Sequence, residues 1–179
     1  MQIKEFSEMC DLRLALESHA AGLAARNRNE GDLQEIRFAL EAMRRLTEAV
    51  IAAETEQPLL GELAREDARF HIAVMSAAKN DLMKKEILRL HLINRVLTVP
   101  LVPGALPTQK AEVDLRRREV LEKHNDIFEA IARGDPVAAK REMEFHLQEM
   151  IDHNLRLLTR AESGVLARDL SPEELAYGS

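Results

Sequence analysis

The sequence predicts an all-α protein, an antiparallel bundle of six helices, and three observations predict it. Apolar residues recur at three- and four-residue intervals almost throughout, while the two-residue alternation of half-buried strands is missing. Only 3% of the residues are aromatic and Trp is absent, so the core must be built from Leu, Ala, Ile, Val and Met. Seven glycines and six prolines among 179 residues leave little punctuation, so each element should be long.

The elements follow in order. A first helix is expected from about Phe6 to Arg28, ended by the polar cluster Asn27-Arg28-Asn29-Glu30-Gly31. A second runs from about Asp32 to Glu54, with Ile36, Leu40, Met43, Leu46 and Val50 on one stripe. Pro58 resets the chain in the first turn of a third, where its missing N–H does no harm. That helix carries Leu63, Phe70 and Val74 and should end near Asn80. A fourth, about Asp81 to Leu97, gives way to the loop Pro100-Leu101-Val102-Pro103-Gly104-Ala105-Leu106-Pro107, whose prolines forbid a continuous helix. The fifth, about Gln109 to Arg133, is closed by Gly134 as a C′ residue. Asp135-Pro136 then supplies an N-cap and a proline at N1 for the sixth, about Pro136 to Glu162. Residues 1–163 thus form one domain and 164–179 a weaker tail. Within that tail Ser171-Pro172-Glu173-Glu174 marks one short turn, a seventh helix if it forms.

The totals limit the function. The length suits one domain with a real core. Net charge is -6, and no block of like charge exceeds Arg116-Arg117-Arg118, whereas a duplex binder presents a basic patch. This chain is therefore not expected to grip DNA itself. No apolar run approaches the roughly 20 residues that span a bilayer, and no signal peptide is visible. One cysteine, Cys10, cannot form an internal disulfide, so the cytoplasm is the expected compartment.

The chemistry concentrates in Glu66-Asp67-Ala68-Arg69-Phe70-His71. Residues four apart stack on one helix face, so Asp67 and His71 can offer a carboxylate oxygen and an imidazole nitrogen to one ion. His124 and His146 sit in apolar-periodic segments of the fifth and sixth helices, and a bundle can turn both toward the same point. Three neutral imidazoles and one carboxylate suit a first-row transition metal. The plainer alternative has Asp67 capping or salt-bridging locally, His71 packing beside Phe70, and the other two histidines half-buried.

The surrounding words carry more. Leu12-Arg13-Leu14-Ala15-Leu16-Glu17 stands near the start, and Glu66 to His71 is followed by Ser76-Ala77-Ala78-Lys79-Asn80. His124-Asn125-Asp126-Ile127-Phe128 then leads through Gly134-Asp135-Pro136 to Glu144-Phe145-His146-Leu147. In order and spacing these resemble the effector-binding C-terminal (FCD) domain of GntR-type bacterial transcription regulators of the FadR subfamily, over about residues 8 to 160. The resemblance implies a bundle around a central cavity with a divalent metal at its floor. The family's metal aspartate and three histidines fall on Asp67, His71, His124 and His146, which argues against one of its metal-free members. Zinc is the first choice, with nickel or manganese next. A divalent cation with a single carboxylate ligand leaves positive charge in the pocket, so a small carboxylate metabolite is the expected effector.

Arg13 matches an arginine of the family's first helix and can hold the effector's carboxylate in a bidentate fork, or else pairs with Glu17 on the surface. Asn94 and Arg95, and behind them His91, fall where the family carries polar cavity residues. His153 lies near the face of His146; His19 and the methionines Met75, Met143 and Met150 read as packing, and Arg116 to Arg118 as a solvated face. Regulators of this type carry a winged helix-turn-helix before the sensor, and nothing in this chain resembles it. The expectation is a fragment whose DNA contacts belong to a missing module, and a homodimer. The chief rival is a small metal-dependent, hydrolase-like enzyme; it lacks a His-Glu-x-x-His and any histidine with Glu three residues before it. A metal-free interaction bundle is the third reading.

Overall fold

The computed structural model describes residues 3–54, 56–98 and 110–169, and their side chains except those of 3, 57, 91–98, 157–158 and 160–169. It is all helical: α1 (Ile3–Asn27), α2 (Glu30–Ala52), α3 (Gln57–Ala77), α4 (Asp81–Thr98), α5 (Lys110–Arg133) and α6 (Pro136–Asp169), with no strand among the described residues. None of these helices is long and apolar enough to cross a membrane. The proline loop before α5 and the Ser171 turn lie outside the described residues.

Local chemistry sets the boundaries. α2 begins at Glu30, two residues before the expected start, because Asn29 is its N-cap. The Asn29 side chain accepts the Asp32 N–H at 2.9 Å, and the Asp32 carboxylate accepts the Asn29 N–H at 2.8 Å, a reciprocal capping box. α6 continues through Ser163-Gly164 to Asp169 instead of stopping near Glu162. A glycine inside a helix costs only about 1 kcal/mol relative to alanine and does not by itself end one.

Three corners gather at one end of the bundle. Between α5 and α6, Gly134 takes φ +72°, its N–H bonds to Ile131 O at 3.0 Å, and the Asp135 N–H bonds to Ala130 O at 3.0 Å. The Asp135 carboxylate then caps α6 through the Ala138 N–H at 3.0 Å. Arg28, just past α1, donates to Ala132 O of this corner at 3.0 Å. Asn27 donates to Ala78 O at the end of α3 at 2.9 Å. Lys79, with φ +56°, is held in its left-handed turn by an ion pair with Asp32 at 2.6 Å. The C-termini of α1, α3 and α5 therefore meet the N-termini of α2, α4 and α6, which gives the antiparallel order.

α1 is the central helix, packed against α3, α4, α5 and α6, while α2 covers the far side of α3 and α5. Its buried stripe runs Phe6, Cys10, Arg13, Glu17, Ala21, Ala24 at helical spacing. Alanines at its C-terminal half let neighbouring backbones come close. Gly22 carries this furthest, since a Cβ there would meet Pro136 O at 3.1 Å. Ile36, Ala39, Val74, Ile127, Ile131 and Met143, all fully buried, fill the same half of the bundle. Met75 and Met143 are core fillers as expected, whereas His19, expected to pack, is exposed because it falls off the stripe between Glu17 and Ala21.

Candidate metal centre

Proceeding away from the three corners, the aliphatic core gives way to a polar layer. α1 brings Arg13 and Glu17, α3 Asp67 and His71, α5 His124, and α6 His146. His124 and His146 stand at equal distance on either side of the corner residue Asp135, so the α5–α6 hairpin sets them level. Glu17, His71, His124 and His146 are all buried, the first and third completely.

The three imidazoles converge. Ring centroids lie 5.4 Å apart for His71 and His124, 5.4 Å for His71 and His146, and 4.3 Å for His124 and His146. One ring nitrogen from each lies within 4.8 Å of the others. Opposite ligands around an ion sit about 4.2 Å apart at an N–metal distance near 2.1 Å, so small torsions close this set on a metal. His124 Nδ1 lies 2.7 Å from Val120 O, which fixes Nδ1 as the protonated nitrogen and leaves Nε2 with its lone pair free. That Nε2 is 3.0 Å from Asp67 Oδ1 without hydrogen-bond alignment. Two donors at right angles, each about 2.1 Å from one ion, stand about 3.0 Å apart. His146 Nε2 is buried with no hydrogen-bond partner among the described residues. A buried polar atom without a partner destabilises a fold by about 1–3 kcal/mol unless something binds it. The residues present fit a divalent metal.

Burial favours the neutral form of His146 and His71, and the Asp67 carboxyl is held in its ionised form. Burial pushes His146 well below the ordinary histidine value, and its two histidine neighbours push it further. Burial likewise lowers His71, against the pull of the Glu17 carboxylate. Burial alone would raise Asp67; the His124 ring beside it, then His71 and His146, outweigh that and hold its carboxyl well below the usual range. Neutral imidazole and ionised carboxylate are the forms a metal takes.

The other expected residues divide. The Arg13–Glu17 pair forms, with Nε donating to Oε1 at 2.8 Å, but it is buried, with the arginine only 3% exposed. Glu17 is the residue that sequence reasoning left as a surface partner. Its other oxygen lies 2.9 Å from His71 Nδ1. The signal was present: the apolar stripe of α1 passes through positions 13 and 17, and a charge on a buried stripe needs a reason. Asn94, Arg95 and His91 belong to α4, and their side chains lie outside the described residues.

A cleft of about 420 Å³ between α5 and α6 leads inward to Asp67 and His146, and His153 and Met150 line it. Asp67, its side chain 42% exposed, thus joins the buried rings to open space. The arginine run is less uniformly solvated than expected. Arg116 lines this cleft, and Arg117 is held by Glu56 at 2.8 Å and Asp114 at 2.7 Å, while Arg118 pairs with Glu48 on the surface. Cys10, toward the other end of α1, packs with Phe6, Met9, Leu90 and Ile151, and burial pushes its thiol up to about 11.

The family model described as the FCD domain matches residues 8–149, most of the chain. The HTH-type transcriptional regulator LutR of Bacillus subtilis (strain 168) is 32% identical over 155 residues, covering 85% of this chain and 63% of LutR. The chain thus spans somewhat under two thirds of that curated relative. Among solved structures, Streptococcus agalactiae GntR aligns with a TM-score of 0.61 at 20% identity, over 85% of this chain and 60% of that one. E. coli McbR/YncC aligns with a TM-score of 0.61 at 19% identity, over 88% and 66% respectively. At these identities the two structures share the fold.

Proposed function

The chain belongs to the FCD domain family, the effector-binding domain of GntR-type regulators, and on that premise we propose that it senses a small carboxylate metabolite through a bound divalent metal. The observation that carries this reading is the convergence of three buried imidazoles and the Asp67 carboxylate, with His146 Nε2 left without a hydrogen-bond partner among the described residues. Asp67, His71, His124 and His146 hold the ion, zinc first and nickel or manganese next. The ion would supply a positive charge and open coordination positions for an anion. Arg13 receives the effector's carboxylate with the guanidinium edge that Glu17 leaves, and Asn94 and Arg95 are carried as effector-binding residues on the sequence alone.

Sensing, on this reading, biases a winged-helix DNA reader attached to this domain in the whole regulator. An effector with different affinities for two arrangements of the helices shifts the spacing of two reading heads in a homodimer. The matched curated relative is a regulator, and a sensor, not an enzyme, is the reading it supports.

The experiment is metal content by elemental mass spectrometry on protein purified without chelator or nickel resin, with melts before and after stripping. About one equivalent per chain, and a Tm that falls on stripping and returns on re-addition, is the expected result. Absence of metal, with no thermal response to zinc, nickel or manganese, overturns the reading.

A further inference from the structure

Glu17 is a charged residue with no solvent exposure at the centre of the bundle, one helical turn from Arg13 and facing His71 across the α1–α3 interface. Taking a carboxylate out of water is expensive unless close partners replace the lost hydration. Here the two oxygens have different partners: Oε1 accepts from Arg13 Nε at 2.8 Å, and Oε2 lies 2.9 Å from His71 Nδ1. A hydrophobic side chain would satisfy α1's packing at lower cost, because the stripe on either side of it is apolar, from Phe6 and Cys10 to Ala21 and Ala24. The carboxylate therefore does something that packing does not require.

The geometry points to Glu17 as the positioning residue of the metal centre: it holds the His71 ring through Nδ1, directs the opposite nitrogen to the ion, and links that ligand to Arg13. This deepens the proposed function and rests on it. A carboxylate on the far nitrogen of a ligating imidazole fixes the tautomer and ring angle and makes the ligand a stronger donor. Val120 O does the same for His124 from α5's own backbone. His71 differs because its orienting group is itself held by a cation that can also meet an effector. An anion that reached Arg13 would compete for the guanidinium that Glu17 shares, and the competition would be felt at His71 through one side chain.

The test uses zinc alone, measured by competition with a chelating dye, and cobalt(II) as a spectroscopic substitute, on the full chain and on Glu17→Gln, Arg13→Met and the double variant. Glu17→Gln keeps the shape of the side chain and removes its charge. The expected result is zinc affinity weaker by about 10–100-fold, together with a changed cobalt visible band. Arg13→Met, which removes no ligand, should weaken zinc by a smaller factor. The double variant should bind no more weakly than Glu17→Gln, because the arginine acts through the glutamate.

A glutamate that only fills space would lower the melting temperature of the metal-free protein while leaving the zinc affinity and cobalt band of the folded fraction unchanged, and that outcome overturns the proposal. Additive losses in the double variant overturn the link between Arg13 and His71. Should Glu17→Gln fail to fold, Arg13→Met decides alone: an unchanged cobalt band and zinc affinity count against the chain of contacts. A wild-type chain that binds neither metal overturns the proposed function and this role with it. Wild-type binding with equal binding by Glu17→Gln overturns the role alone.

Discussion

α1, α3, α5 and α6 each run through two unlike regions, and the contrast is sharper than between any two helices. Toward the three corners they are sealed with Ala21, Ala24, Val74, Ile131 and Ala139, all fully buried, and the corners are stitched by Arg28, Asn27 and Lys79. Farther along the same helices the core holds Arg13, Glu17, His71, His124 and His146, also buried and far more expensive to bury. The first region explains why the chain folds. The second is what the fold holds in place, and its stability is conditional on what binds there.

The largest effect that sharpens this contrast belongs to the apolar half. Ile131→Ala removes a fully buried side chain and should destabilise by about 2–5 kcal/mol. The loss, read from urea unfolding, should be the same with zinc present or stripped. A loss that depends on zinc would mean that the two regions are one cooperative site.

His146→Leu probes the other half, and its two effects have opposite signs. The variant removes the orphaned Nε2, so the metal-stripped protein should be as stable as the wild type or more so, by up to about 1–3 kcal/mol. It should also abolish the rise in Tm with zinc, which at a free concentration of 100 Kd amounts to about 2.7 kcal/mol. A stripped variant markedly less stable than stripped wild type would make His146 a packing residue and dissolve the contrast.

How legible each region was follows from how local its causes are. Helix starts and stops are written in neighbouring residues, so Gly134, Asp135 and Pro136 place the α5–α6 corner from sequence alone. That corner in turn levels His124 with His146, and the spacing of Asp67 and His71 puts both on one face. Glu17 was not legible in its role, because its meaning depends on α3 crossing α1 opposite position 17, a contact between residues far apart in the chain. Arg13 could be paired with Glu17 from the i, i+4 spacing, and the apolar stripe of α1 pointed both inward, but the partner on α3 lay beyond local reasoning. The start of α2 was misjudged by two residues because Asn29 and Glu30 were read as part of a helix-ending cluster, when Asn29 and Asp32 cap the next helix reciprocally.

Asn29→Ala is the smaller test of the corner end. It removes the capping-box acceptor and should destabilise by about 1 kcal/mol. It also loosens Asp32, which ties Lys79 to the corner of α3. Because the metal layer lies beyond the apolar half, zinc affinity should not change. A weaker zinc site in this variant would show that corner geometry reaches the ligands.

The smallest effect lies outside both regions and isolates them from ordinary acid sensitivity. Glu56 and Asp114 meet Arg117 and Lys110 where α3 begins and α5 starts. The Arg117 hydrogen bond lowers Glu56, and the Lys110 hydrogen bond lowers Asp114, with Arg117 adding to it. Carboxyls held low in the folded state stabilise it fully above their ordinary values, and that contribution fades as pH falls through their lowered ones. Arg117→Met should therefore flatten the fall of Tm below about pH 4, with little change near neutrality. These groups touch neither the histidines nor the corners, so the flattening should be identical in stripped and zinc-loaded protein. Equal steepness in variant and wild type would instead assign the acid response to the metal layer, where Asp67 is also held well below the usual carboxylate range.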